Sequence, residues 1–136
     1  MAYLLTGCTL FTKNAKDFKL YQKEENIVEI SRVTIPSDEL SLTTIDVKET
    51  VSGKQIASAL QTLRELPCKD PSFEPQDAPY GECFMIKYAD GSFQLLSECR
   101  NDYFDKAYNS QGYQSLDFDD DEFYSLWNHG FGSIVN

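Results

Sequence analysis

The sequence predicts an α+β fold, a mainly antiparallel sheet with two short helices packed on one side. Three observations predict it. Short β-branched and alternating apolar runs fill the first fifty residues. A run with helical apolar spacing follows at 56–66, and the chain then carries a hairpin signal and a second, well-capped helix. The order strands, helix, hairpin, helix is that of a sheet with its helices segregated to one face.

Residues 3–11 are apolar and rich in strand formers, and predict a first strand. Phe18 and Leu20 alternate as in a strand within the mixed, charged segment 14–25. Ile27, Val28, Ile30, Val33 and Ile35 give 27–35 a strongly β-branched character. Pro36-Ser37-Asp38 breaks that run. At 42–51, Ile45 and Val47 alternate with Asp46 and Lys48, a period-two pattern that turns the apolar pair inward.

The first helix is predicted from a capping box, with Ser52 as N-cap and Gln55 as its return half. Val51 and Ile56 fit the flanking hydrophobic staple. Ile56, Ala59, Leu60, Leu63 and Leu66 keep helical spacing until Pro67 stops the helix. Pro67, Pro71, Pro75 and Pro79 stand four apart, which no helix interior tolerates, so 67–81 reads as an extended connection pinned by Phe73 and Tyr80.

Residues 82–100 carry the strongest β signal. Asp90-Gly91 sits between two strand-like runs, as a two-residue hairpin turn requires. Pairing about that turn sets Tyr88 opposite Phe93, Ile86 opposite Leu95 and Phe84 opposite Ser97, all on the core face. Met85 and Leu96 then form an apolar pair among Lys87, Gln94 and Glu98 on the other face. Residues 101–117 are aromatic and polar, consistent with a strand or an ordered loop. The last helix is predicted over 118–130. Asp119 is its N-cap, Glu122 completes the box, Phe118 and Phe123 form the staple, and Gly130 is the stop. A length of 136 residues with no repeat or composition break predicts one domain spanning 1–136.

Hydrophobic residues make up 41% of the chain and aromatics 13%, so the composition is that of a folded protein. The formal net charge is −10. Such a chain is repelled by nucleic acid and by anionic membranes, and is drawn to basic protein surfaces. The same charge also serves solubility. Its distribution is uneven: residues 101–136 hold Lys106 as the single basic side chain against seven acidic ones, and share that stretch with Tyr103, Tyr108 and Tyr113. These tyrosines follow no clean periodicity. With Asp102, Asp105, Asp117, Asp120 and Asp121 they form the predicted partner-binding surface, aromatic area combined with carboxylate steering.

Catalytic and metal-binding patterns are sparse. His129 is the only histidine and stands beside the predicted helix stop, where the helix dipole favours it. Gly53-Lys54 lacks the phosphate-loop frame. Asp117, Asp119 and Asp121 have the spacing of a calcium loop's first ligands, but Glu122 replaces its glycine and Asn128 its final glutamate. Cys8, Cys68, Cys83 and Cys99 form no CxxC pair, and an even count would allow two disulfides, but no secretion signal supports an oxidising compartment, so reduced thiols in a cytoplasmic protein are expected. No cofactor, metal site or catalytic residue is predicted.

These features point to a small, non-enzymatic acidic inhibitor or binding protein. Its partner would be a basic protein surface, such as that of a nuclease or another nucleic-acid-binding protein, with no direct contact to nucleic acid or membrane. Immunity proteins and phage-encoded antagonists share that general character, an analogy of class only. A second reading, an accessory domain of a bacterial envelope lipoprotein, rests on Leu5-Thr6-Gly7-Cys8, which has the form of a lipobox. Only four residues precede that motif here, fewer than a signal segment's charged start and apolar run require. A third reading, an enzyme of unrecognised type, would centre on His129 or on clustered carboxylates.

Overall fold

A computed structural model describes residues 18–35, 44–69 and 81–132. The predicted strand at 3–11, the lipobox-like Leu5-Thr6-Gly7-Cys8 and the predicted anchors Phe73 and Tyr80 lie outside the described residues. The fold is α+β. Strands β1 (Ile27–Ile35), β2 (Asp46–Ser52), β4 (Gly81–Tyr88), β5 (Phe93–Leu96), β6 (Arg100–Phe104) and β7 (Ser110–Ser115) form a six-stranded sheet in the order β2-β1-β4-β5-β6-β7. Every neighbouring pair is antiparallel. Two short strands, β3 (Cys68–Lys69) and β8 (Asp117–Phe118), pair with each other apart from the sheet. The helices are α1 (Ile56–Arg64) and α2 (Asp120–His129).

Both helices cover one face. Ala59, Leu60 and Leu63 from α1 and Phe123, Leu126 and Trp127 from α2 pack with Ile30, Phe84, Ile86 and Leu96 of the sheet. The opposite face carries a second apolar cluster of Val33, Ile35, Cys83, Met85, Phe93, Leu95 and Phe104, with Ile45 against it. Both sheet faces are therefore apolar at the centre, which is why β5 is buried along its whole length.

The hairpin exists where the sequence places it, but its register differs by one residue. Lys87 pairs with Phe93, Ile86 with Gln94, Met85 with Leu95 and Phe84 with Leu96. The turn is wider than two residues: Gly91 N donates to Tyr88 O and Tyr88 N donates to Ser92 O. Gly91 has φ +90, and Asp90 Oδ1 accepts from Ser92 N at 2.9 Å. A three-residue loop ending in a left-handed glycine has this form. A shift of one residue turns side chains to the other face. Phe93 and Leu95 thus join Met85 on the face away from the helices, while Leu96 faces the helices.

The N-terminus of α1 also departs from expectation. Ser52 is extended at the end of β2 and makes no side-chain cap bond, and 53–55 form a 3-10 turn before the helix. Gly53 has φ +61, so the chain turns away at the position where a capping box needs its first helical residue. Val47, expected inside, is half exposed on an edge strand. The α2 helix matches closely. Asp119 Oδ2 accepts from Glu122 N at 3.0 Å, and the Phe118 and Phe123 rings lie 5.4 Å apart. Only the return half of the box is missing, because Asp119 N donates to Pro67 O instead.

Beyond Gly130 the chain is clamped to the sheet. Arg32 Nε donates to Glu49 Oε1 at 2.7 Å, and its Nη1 donates to the Trp127 carbonyl at the end of α2. Glu49 Oε1 also accepts from Phe131 N at 3.0 Å. Among the described residues no helix is long and apolar enough to cross a membrane.

Candidate functional site

The densest charge on the described surface is the corner where β8 runs into α2. Asp117, Asp119, Asp120, Asp121 and Glu122 are all exposed, and Phe118 is the buried residue among them. Local chemistry fixes this arrangement. Phe118 is drawn into the helix-side core against Phe123. The backbone is held from both sides, with Phe118 N donating to Glu98 O, Asp119 N to Pro67 O, and Asp117 paired with Lys69 across the short β3–β8 ladder. The carboxylates are left pointing outward. Those in the first turn of α2 sit at the positive end of the helix dipole, which tempers their mutual repulsion.

A concavity of about 490 Å³ opens beside this corner. Glu98, Asp117, Asp119 and Asp120 line it, with Lys69 as the one basic residue among the described lining residues. Glu98 accepts a 2.9 Å hydrogen bond from the Tyr124 hydroxyl. Burial and that carboxylate together push the Tyr124 hydroxyl's pKa up, so it remains a donor. None of the ion pairs among the described residues uses Asp117, Asp120 or Asp121. The recess is therefore an electronegative cleft of a size to take a lysine or arginine side chain.

The other predicted surface residues lie elsewhere. Asp102 is 3% exposed, and Arg100 holds it through Nε at 3.1 Å and Nη2 at 2.8 Å. It is an internal ion-pair partner and not a surface carboxylate, because β6 places it between β5 and β7 on the second face. Burial raises its pKa against the lowering effect of Arg100. Tyr113 is half exposed beneath the Arg100 guanidinium, 4.0 Å from ring to Cζ. Tyr103 points to the helix side, stacks on Tyr21 at 4.6 Å and donates to Ser92 Oγ. Asp105 caps its own loop, accepting from Ala107 N and Asn109 N, which holds its carboxyl below the ordinary value. Tyr108, with φ +68, stands edge-on to Phe93. The structure thus brings Asp117, Asp120 and Asp121 together, and disperses Asp102, Tyr103, Asp105, Tyr108 and Tyr113 over the β6–β7 hairpin. Glu98, expected only on a hairpin face, and Lys69 were not among the predicted site residues, since only tertiary pairing carries them to the corner.

His129 is exposed at the end of α2, in a groove shared with Glu65 and Glu122. Its Nδ1 lies 2.7 Å from the Ser125 carbonyl, so that nitrogen carries the proton and cannot act as a base toward Ser125 Oγ. Neither cysteine nor aspartate lines that groove among its described residues. The Asp117, Asp119, Asp121 spacing does not form a calcium loop: Asp119 is committed to its cap and α2 begins at Asp120. Among the described residues no group of three histidine, cysteine, aspartate or glutamate side chains is placed to hold a metal ion. Cys83 and Cys99 are free thiols, and burial pushes their pKa values up. No family model, curated protein sequence or solved structure matches the chain.

Proposed function

We propose that this protein is a non-enzymatic acidic binding protein that covers a basic site on another protein. The carrying observation is the cleft at the β8–α2 corner, where, among the described residues, Glu98, Asp117, Asp119 and Asp120 face Lys69 alone on a backbone held by hydrogen bonds. Rigidity matters because a preordered surface loses little entropy on association. Fixed carboxylates speed the approach of a cationic surface and reject anionic ones. A protein that handles nucleic acid carries such a surface, and the carboxylates would there take the place of phosphates. A reducing, cytoplasmic setting belongs to this proposal, and the free Cys83 and Cys99 thiols are in keeping with it.

The test is capture from a lysate of the source organism with wild-type and D120K/D121K baits, at low and high salt. The proposal expects at least one protein of net positive charge, retained by the wild type at low salt and lost with the variant. Capture of no basic protein, or equal capture by both baits, refutes it. The D120N/D121N bait separates loss of charge from local unfolding, and its retention should be intermediate.

A further inference from the structure

A second concavity lies on the sheet face away from the helices and has the opposite character. It measures about 380 Å³, within the usual range of about 300–1,000 Å³ for small-molecule sites. Ile45, Val47, Met85 and Phe93 provide apolar contact, and Tyr108 stands at its edge. The polar groups are Lys87 and Lys106. Neither lysine belongs to any ion pair among the described residues. Two ammonium groups with no ion pair among the described residues thus stand beside an apolar floor in a chain of net charge −10.

The site is built into the fold. Gly91 admits the Lys106 stem, since a Cβ there would come within 3.0 Å of Lys106 Cβ. Asp105 closes the loop that carries Lys106 and Tyr108 through its bonds to Ala107 N and Asn109 N. The one-residue register shift of the hairpin is what brings Phe93 to the same face as Met85 and Lys87. Among the described residues, the Asp105 carboxylate is engaged by its own loop and also feels the Lys106 charge, and Glu29 is cross-strand from Lys87.

We propose that this concavity binds a small amphipathic anion, a flat apolar ring system bearing one carboxylate. The rings lie on Met85, Phe93 and Val47, and the carboxylate meets Lys87 and Lys106. The site is independent of the acidic corner and stands on the opposite side of the sheet from the helices.

The test titrates the full chain with 2-naphthoate and with neutral 2-naphthalenemethanol, followed by NMR. Naphthoate should bind saturably, with shifts at Met85, Lys87, Phe93 and Tyr108. The K87Q/K106Q variant should weaken naphthoate by about tenfold and change the neutral analogue by less than about twofold. Val47→Trp, at a half-exposed edge position, should fill the concavity and abolish both, while Val47→Ala retains them. Absence of saturable binding, binding that survives Val47→Trp, or equal losses for the acid and the alcohol in K87Q/K106Q would overturn the proposal.

Discussion

Replacing Gly130 by alanine should destabilise the protein far more than a surface substitution. Gly130 has φ 78 and ψ −169, a region open essentially to glycine alone. A Cβ there would come within 2.6 Å of Glu49 Oε1 and 3.0 Å of Arg32 Cζ. Those atoms have little freedom, since Glu49 Oε1 already receives Arg32 Nε and Phe131 N. Backbone strain of about 1–2 kcal/mol adds to loss of a charge-assisted hydrogen bond, about 1.5–3 kcal/mol. The total is about 2.5–5 kcal/mol, a large fraction of the ~5–15 kcal/mol typical of a domain. Urea unfolding of wild type, G130A, E49A and the double variant measures it. In the E49A background the 2.6 Å contact is gone and Arg32, released from its carboxylate, can give way at its 3.0 Å contact, so the cost should fall toward the backbone strain, about 1–2 kcal/mol. A G130A cost below about 1 kcal/mol, or one unchanged by E49A, would refute the clamp.

Other substitutions probe separate contacts. Asp119→Ala should cost about 1 kcal/mol in urea unfolding through loss of the cap to Glu122 N, whereas Asp119→Asn should cost only a few tenths. Trp127→Phe removes the bond from Nε1 to the Cys83 carbonyl and should cost about 2–4 kcal/mol by the same assay. The folded-state pKa of Asp105 is lowered below the ordinary 3.8, so its contribution is present above that value and is lost as pH falls through the folded one. Amide exchange at Ala107 and Asn109 should therefore be slow near neutrality, after correction for intrinsic rates, and accelerate below that pH. Asp105→Asn should weaken the protection at neutral pH.

The elements that were legible in the sequence are those whose determinants are local. Asp119, Phe118, Phe123 and Gly130 all act within α2's own span, and the helix forms as they indicate. The hairpin was legible at Asp90-Gly91, but its register was not. An Asp-Gly pair serves a two-residue turn or the last two places of a three-residue loop, and the Asp90–Ser92 bonds select the second. Ser52 failed as a cap because Gly53 adopts a positive φ, which tertiary placement of β2 decides. The acidic run at 117–122 was visible as charge. Its separation from Tyr103, Tyr108 and Tyr113 was not, because the β6–β7 pairing sends alternate residues to opposite faces. Asp102 shows the same limit, since a buried ion pair with Arg100 looks in the sequence like two ordinary charges.

The most direct test of the acidic corner is the salt dependence of its affinity for a captured basic partner, measured from roughly 0.05 to 0.5 M salt, over which the Debye length falls severalfold. The account predicts that Kd rises steeply with salt for the wild type. The D117N/D120N/D121N variant should bind more weakly at low salt and show a flatter dependence. The same Kd and the same slope for both proteins would contradict it.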